Sequence, residues 1–251
     1  MLTRLIPGAL FAGLCAGAIA ALLQLTFVVP LIHQGELYET GVLIHFPAAA
    51  EAHDQAAMTE DAVEDQDPTA AGSTEDDVAA EIGSIPFDLR RSIGTFGNYM
   101  ISYIGFALLM VAGFAIAERY GHRVTARTGV IWGLCGFLAV QLAPAFGLPP
   151  ELPGGTSAPL ELRQVWWTLC VLVTIAGIGL LAFGKGPLAI AAAMILIALP
   201  HLIGAPEAPF GGVSPPELSA HFTARVLGAG AVCWAVLGTS AGAIWARDRP
   251  A

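Results

Sequence analysis

The sequence predicts an all-α integral membrane protein with six transmembrane helices, both termini cytoplasmic, and one disordered acidic loop on the outer face. Three observations carry that prediction. Charged residues make up only 12% of the 251-residue chain while hydrophobic residues make up 55%, with a mean hydropathy of +0.68; a soluble domain carries about 25% charged residues. Six stretches, near 5–28, 98–117, 129–147, 166–183, 187–203 and 222–245, approach or exceed the about 20 apolar residues that cross a hydrocarbon core. Between the first two lies 46–82, rich in Ala, Asp and Glu with no aromatic after Phe46, too polar to offset its ordering entropy. Residues 1–251 thus read as one membrane domain carrying an acidic extracytoplasmic loop. The same composition excludes a soluble cytosolic enzyme, and a net charge of −9 excludes nucleic-acid binding through a basic surface.

The first stretch follows Arg4 and contains Ala18-Ile19-Ala20, as a signal peptide would, but it stays apolar through Val29. That is longer than the usual hydrophobic region of about 7–15 residues, so an uncleaved helix is expected. Orientation follows from Lys and Arg. Seven (Arg4, Arg119, Arg123, Arg127, Lys185, Arg247, Arg249) fall on the N-terminal side and four (Arg90, Arg91, Arg163, Arg225) on the other, which places both ends inside. Eighteen of the 20 acids fall outside, leaving formal charges of −14 outside and +5 inside. Phe183-Gly184-Lys185-Gly186-Pro187 reads as a tight inner turn between spans four and five. Gly13/Gly17, Gly129/Gly133 and Gly238/Gly242 are four apart, the spacing that lets helix backbones approach closely. Cys15, Cys135, Cys170 and Cys233 lie within apolar runs without CxxC spacing and read as packing residues.

No Asp, Glu, Lys or Arg falls at the middle of a span, which argues against a buried carboxylate relay. Polar groups collect instead at the outer ends of the odd-numbered spans, around prolines. Span one runs Gln24 to Pro30 and on to His33 and Glu36; span three has Gln141, Pro144 and then Pro149-Pro150-Glu151-Leu152; span five ends Pro200-His201 before Glu207. A proline inside a helix frees the carbonyl four residues back, and such carbonyls are tolerated at membrane depth where they line a cavity. The plainer reading is that these prolines end their helices. Pro-Pro-Glu-Leu occurs at 149–152 and 215–218, a weak hint of repeated hairpins.

Five of the six histidines lie outside: His33, His45, His53, His201 and His221. Glu217 and His221 are four apart at the start of span six, and His33 and Glu36 three apart, so each pair shares a helix face and can hold one divalent metal. The candidate metal ligands are therefore His33, Glu36, Glu151, His201, Glu217 and His221, and Gln24, Gln141, Pro30, Pro144 and Pro200 are the candidate pathway-lining residues. Imidazole with carboxylate suits Zn, Co, Ni or Fe better than Mg or Ca. A solvated interfacial histidine needs no metal, and the acidic loop is either a cation attractor or a mere solvating segment. Gly184-Lys185-Gly186 is no Walker A loop, and HExxH is absent, so neither ATP hydrolysis nor another enzymatic activity is expected.

Phe27-Val28-Val29-Pro30-Leu31-Ile32 with Glu36, the run Gly133 to Gly154, Arg163-Gln164-Val165-Trp166-Trp167, Pro200-His201-Leu202-Ile203-Gly204-Ala205-Pro206 and Pro216-Glu217-Leu218 together resemble the CbtA family of bacterial cobalt transporter subunits. The resemblance implies cobalt uptake across the bacterial inner membrane, a small one-helix companion, CbtB, carrying metal-binding histidines, and no tightly bound cofactor. Family members carry a His-rich stretch and a Trp-x-Pro segment in the first outer loop. Here that loop has His53 alone and then Ile85-Pro86-Phe87-Asp88-Leu89-Arg90, so capture would fall to carboxylates or to the companion. Two readings stand: a permease, or the membrane subunit of one, for Co²⁺ (or Ni²⁺ or Zn²⁺); and a non-transporting scaffold that assembles or regulates a metal-transport partner. Besides lipid, the Gly-rich faces allow a homo-oligomer without specifying one.

Overall fold

The computed structural model describes residues 2–44, 89–209 and 211–247, with the backbone alone for 2–5. The acidic segment at 46–82, His45 and His53 lie outside the described residues. About 80% of what is described is helical, with no strand among the described residues. Helix α1 (Leu2–Leu23) passes through a π-helical segment (Gln24–Val28) into α2 (Val29–Glu39). After α3 (Leu89–Arg119), α4 (Ala126–Phe137) passes through a second π segment (Leu138–Leu142) into the short α5 (Ala143–Ala145). Then follow α6 (Leu160–Phe183), α7 (Pro187–Ile203) and α8 (Pro216–Arg247).

Five helices are long and apolar enough to cross a membrane: Ile6–Glu39, Leu89–Arg119, Ala126–Ala145, Leu160–Phe183 and Pro216–Arg247. The sixth expected span, 187–203, coincides with α7, an apolar helix of 17 residues. Most elements outrun their predicted spans, because the helices continue into the polar ends. Pro30 does not stop its helix, which runs on to Glu39, whereas Pro144 and Pro200 lie within the last few residues of theirs. Pro30 and Pro144 each lie two residues past a π segment, which ends in an N–H reaching back five residues (Val29 to the Gln24 carbonyl, Ala143 to the Leu138 carbonyl). The wider register re-partners backbone groups that the proline ring would otherwise disturb.

Local sequence sets the other ends. Thr125 and Thr128 cap α4 reciprocally, Thr125 N–H donating to Thr128 Oγ1 at 2.8 Å and Thr128 N–H to Thr125 Oγ1 at 3.3 Å. Gly186 (φ +81°) turns the chain into Pro187 at the head of α7, and Gly204 (φ +88°) ends that helix.

Helix α1 packs on α3 and α8, α8 packs along α4, and α6 pairs with α7. The main core joins a stripe of small residues on α1 (Ala9, Ala12, Ala16, Ala20) to Tyr103, Met110 and Phe114 of α3 and to Trp234, Leu237 and Trp245 of α8. Phe114 meets Trp132 and Trp245 edge-on, at 5.3 and 5.8 Å between ring centroids. All three predicted glycine pairs lie at helix contacts. A Cβ on Gly13 would lie 2.6 Å from Ile104 Cα, one on Gly242 2.6 Å from the Thr125 carbonyl oxygen, and Gly129, Gly133 and Gly238 fit still more tightly along the α4–α8 seam. All four cysteines are free, and Cys170 and Cys233 are buried.

One end of the bundle carries Glu36, Glu151 and Glu217; the other carries Arg119, Arg123, Arg127, Lys185 and Arg247. At the carboxylate end the loop before α6 crosses the loop before α8, through an isolated bridge between Gly155 and Gly212 and through Thr156 Oγ1, which donates to the Pro209 carbonyl at 2.6 Å. The two Pro-Pro-Glu-Leu segments do one job there: Leu152 and Leu218 are both buried with Val28 and Leu31.

Candidate functional site

Both π segments pack against α8, about a turn and a half of that helix apart at Arg225 and Gly230. Arg225 donates from Nη1 to the Phe27 carbonyl at 3.1 Å, so a guanidinium from α8 holds an oxygen of the first interrupted helix. At the second, Gly230 leaves room for the amide of Gln141: a Cβ there would overlap Oε1 and come within 3.1 Å of Nε2. Gln141 Oε1 is buried with no hydrogen-bond partner, and a buried acceptor left unpaired is costly.

Beside it opens a cleft of about 630 Å³, whose polar lining comes from Gln141, Glu151, Arg163, Gln164 and Thr168, with Trp167 and Pro144 on its walls. The cleft lies between the second π segment, the loop through Glu151, the first turns of α6, and Val226 and Leu227 of α8. Three residues predicted from sequence (Gln141, Pro144, Glu151) therefore meet here. Arg163, Gln164 and Thr168 complete the lining from the first turns of α6. Of these, Arg163 and Gln164 figured in the sequence only in the charge count and the Arg163-Gln164-Val165-Trp166-Trp167 run, and not as lining residues.

The six candidate metal ligands do not converge: among the described residues no group of three or more His, Cys, Asp or Glu is placed to hold a metal ion. Glu36 is gripped by Arg91 of α3 through both carboxylate oxygens, Nη1 to Oε2 at 3.1 Å. It lies eight residues, about 12 Å of helix, beyond the span predicted at 5–28. The hydrogen-bonded Arg91 holds its carboxyl below the usual carboxylate range, with a smaller contribution from nearby His33. Glu151 accepts from Ser157 Oγ at 2.5 Å and faces Arg163 Nη2 at 3.5 Å. His201 meets the rings of Phe146 and Trp166 in T-shaped contacts, with centroids 6.0 and 6.1 Å away, and Trp166 Nε1 donates to the Pro200 carbonyl at 3.2 Å. Glu217 and His221 are exposed on the first turns of α8. Gln24 and Pro30 lie in and after the first π segment, half-buried, and Pro200 is buried.

Arg91 lies 55 residues from Glu36 in the chain, so no local pattern could have paired them. The two π segments had a faint signal, a glutamine and then a proline late in an apolar run (Gln24 and Pro30, Gln141 and Pro144).

The family model described as "Probable cobalt transporter subunit (CbtA)" matches residues 2–246. No curated protein and no solved structure matches the chain. With essentially its whole length covered, this chain belongs to the CbtA family and is a multi-pass membrane protein.

Proposed function

We propose that this chain is the membrane subunit through which a divalent transition metal, cobalt in the first place, enters the cell. The observation that carries the reading is the pair of π-interrupted helices flanking α8, with an unpaired amide oxygen at Gln141 and a polar cleft beside it. Irregular backbone at membrane depth belongs where it lines a cavity. In this reading α7 is the sixth span: 17 residues of helix cover about 25 Å, at the short end of what crosses a bilayer. Both termini are then cytoplasmic in a bacterial inner membrane, and the carboxylate end faces outward.

Capture falls to the exposed Glu217–His221 pair and to His201, with His33, Glu36 and Glu151 as further donors at the same end. Glu36 and Glu151 are already engaged by arginines, so they contribute only if those pairs open. Gln24, Gln141 and carbonyls near Pro30, Pro144 and Pro200 replace hydration water further in. A divalent ion entering a negative-inside cell gains about 4.6 kcal/mol per 100 mV, twice the single-charge figure, so no ATPase is required. A one-helix companion such as CbtB would supply the histidines that the first outer loop lacks.

The test is Co²⁺ influx into liposomes containing the purified chain, with and without the companion, at an inside-negative potential. Saturable influx that falls at least about tenfold in both His201→Ala and Glu217→Ala is expected. Influx at the wild-type level in both variants removes this ligand set. No influx under either condition, with Co²⁺ supplied free or as a carboxylate chelate, favours the other reading, a scaffold that assembles or regulates a metal-transport partner.

A further inference from the structure

The cleft is too large for a bare ion and carries no net charge to hold one. An ion with six waters, at about 30 Å³ each, fills about 180 Å³, under a third of the cleft's 630 Å³. That volume falls instead within the about 300–1,000 Å³ of small-molecule sites. In the cleft the charges of Arg163 and Glu151 offset each other, and the described residues gather no three metal-ligating side chains. An ion that lodges here must bring its own ligands.

The polar lining says which ligands. Arg163 and Glu151 stand side by side but touch through one long contact, Nη2 to Oε2 at 3.5 Å, with Glu151 Oε2 already taken by Ser157. Most of the guanidinium fork, which fits a carboxylate through two parallel N–H bonds, is thereby left to the cleft. A base and an acid held half-apart complement a ligand that carries both charges, and Glu151 opposes a plain anion such as a lipid phosphate. Gln141 Oε1 needs a donor, and Gln164 and Thr168 can give or accept.

Resting on the transport reading above, we infer that the cleft receives the divalent ion as a chelate with a small hydroxy- or amino-carboxylate. The ligand's carboxylate lies on Arg163, its metal side faces Glu151, and its hydroxyl or amine donates to Gln141. Entry exchanges the long Arg163–Glu151 contact for two shorter ones and breaks no covalent bond.

The full chain in phosphatidylcholine nanodiscs, titrated calorimetrically with CoCl₂, with citrate, and with an equimolar mixture, tests this. The mixture should bind at one saturable site at least about tenfold more tightly than either component alone. Arg163→Gln and Gln141→Leu should each remove most of that advantage, and Arg90→Gln, an exposed arginine of α3 away from the cleft, should keep it. Elution volume and thermal unfolding of each variant, matched to wild type, separate lost binding from lost fold. CoCl₂ or citrate alone binding as tightly as the mixture overturns the inference. So does full binding in a folded Arg163→Gln variant, or competitive displacement of the mixture by phosphatidylglycerol. Liposome influx separates the two readings. Co²⁺ flux indifferent to citrate sinks the chelate and spares transport, whereas mixture binding at the cleft without flux sinks transport and spares the cleft.

Discussion

Helix α4 runs along α8 for most of its own length, yet the two ends of their contact are built on opposite plans. Towards the basic end, Gly129 and Gly133 face Gly238 and Gly242 so closely that no side chain fits between the backbones. Towards the carboxylate end, α4 changes to π register, a proline follows, and Gly230 makes room for an amide rather than for backbone. One glycine set closes the contact and the other opens it beside a cleft. A membrane helix pair has no hydrophobic drive to associate, so close packing must hold it. The closed end supplies that hold, and the open end is thereby free to keep an unpaired polar atom and a cavity.

Breaking the closed end should have the largest effect. Gly238→Leu drives four carbons into the backbone of Gly129 and Gly133, atoms that cannot swing aside. Its cost should exceed about 3 kcal/mol, above the usual overpacking range because backbone must move. Loss of monodisperse protein in detergent, or a collapsed unfolding temperature, is the expected reading. Gly228→Leu on the same helix meets open space and should leave both unchanged. Because leucine forms helix better than glycine, equal damage from the two substitutions would show that added bulk anywhere on α8, not the seam, sets stability.

Gly230→Ala probes the open end and should cost less, about 1 kcal/mol, because a side-chain amide can rotate away. The double variant Gly230→Ala/Gln141→Ala sharpens the comparison: with the amide gone, the added methyl should cost almost nothing, giving a coupling near the whole single-variant effect. An additive double variant would detach Gly230 from Gln141. Trp166→Phe, which removes the N–H that Pro200 accepts, should also cost about 1 kcal/mol in thermal unfolding.

What was legible in the sequence divides along the same line. The glycine pairs were readable because close packing needs only a local rule, two small residues four apart on one face. The six apolar stretches were readable for the same reason, and α7 lies at its predicted bounds. The π segments were not, since a proline late in an apolar run predicts a stop or a freed carbonyl as readily as a changed register. Glu36 and Glu151 were read as metal ligands because each stands near a histidine or a proline break, while their arginine partners come from other helices or a later turn. A carboxylate's partner is a tertiary fact, and Arg91 and Arg163 turn two expected ligands into ion pairs, one shut and one half-open.

That last difference carries the smallest prediction. The Arg91–Glu36 fork is more than a third exposed on both sides, so solvent screening limits it to about 0.5 kcal/mol. Because Arg91 lowers the Glu36 pKa on folding, the contribution is fully present above the ordinary carboxylate range and is lost as pH falls through the lowered value. Wild type should therefore lose its small advantage over Arg91→Gln in thermal unfolding as the buffer passes from neutral to below pH about 4, and the two should converge there. A gap that persists at low pH would mean that Arg91 acts through packing of its stem against α2. The fork would then fasten the carboxylate end by shape rather than by charge, as the glycines fasten the other.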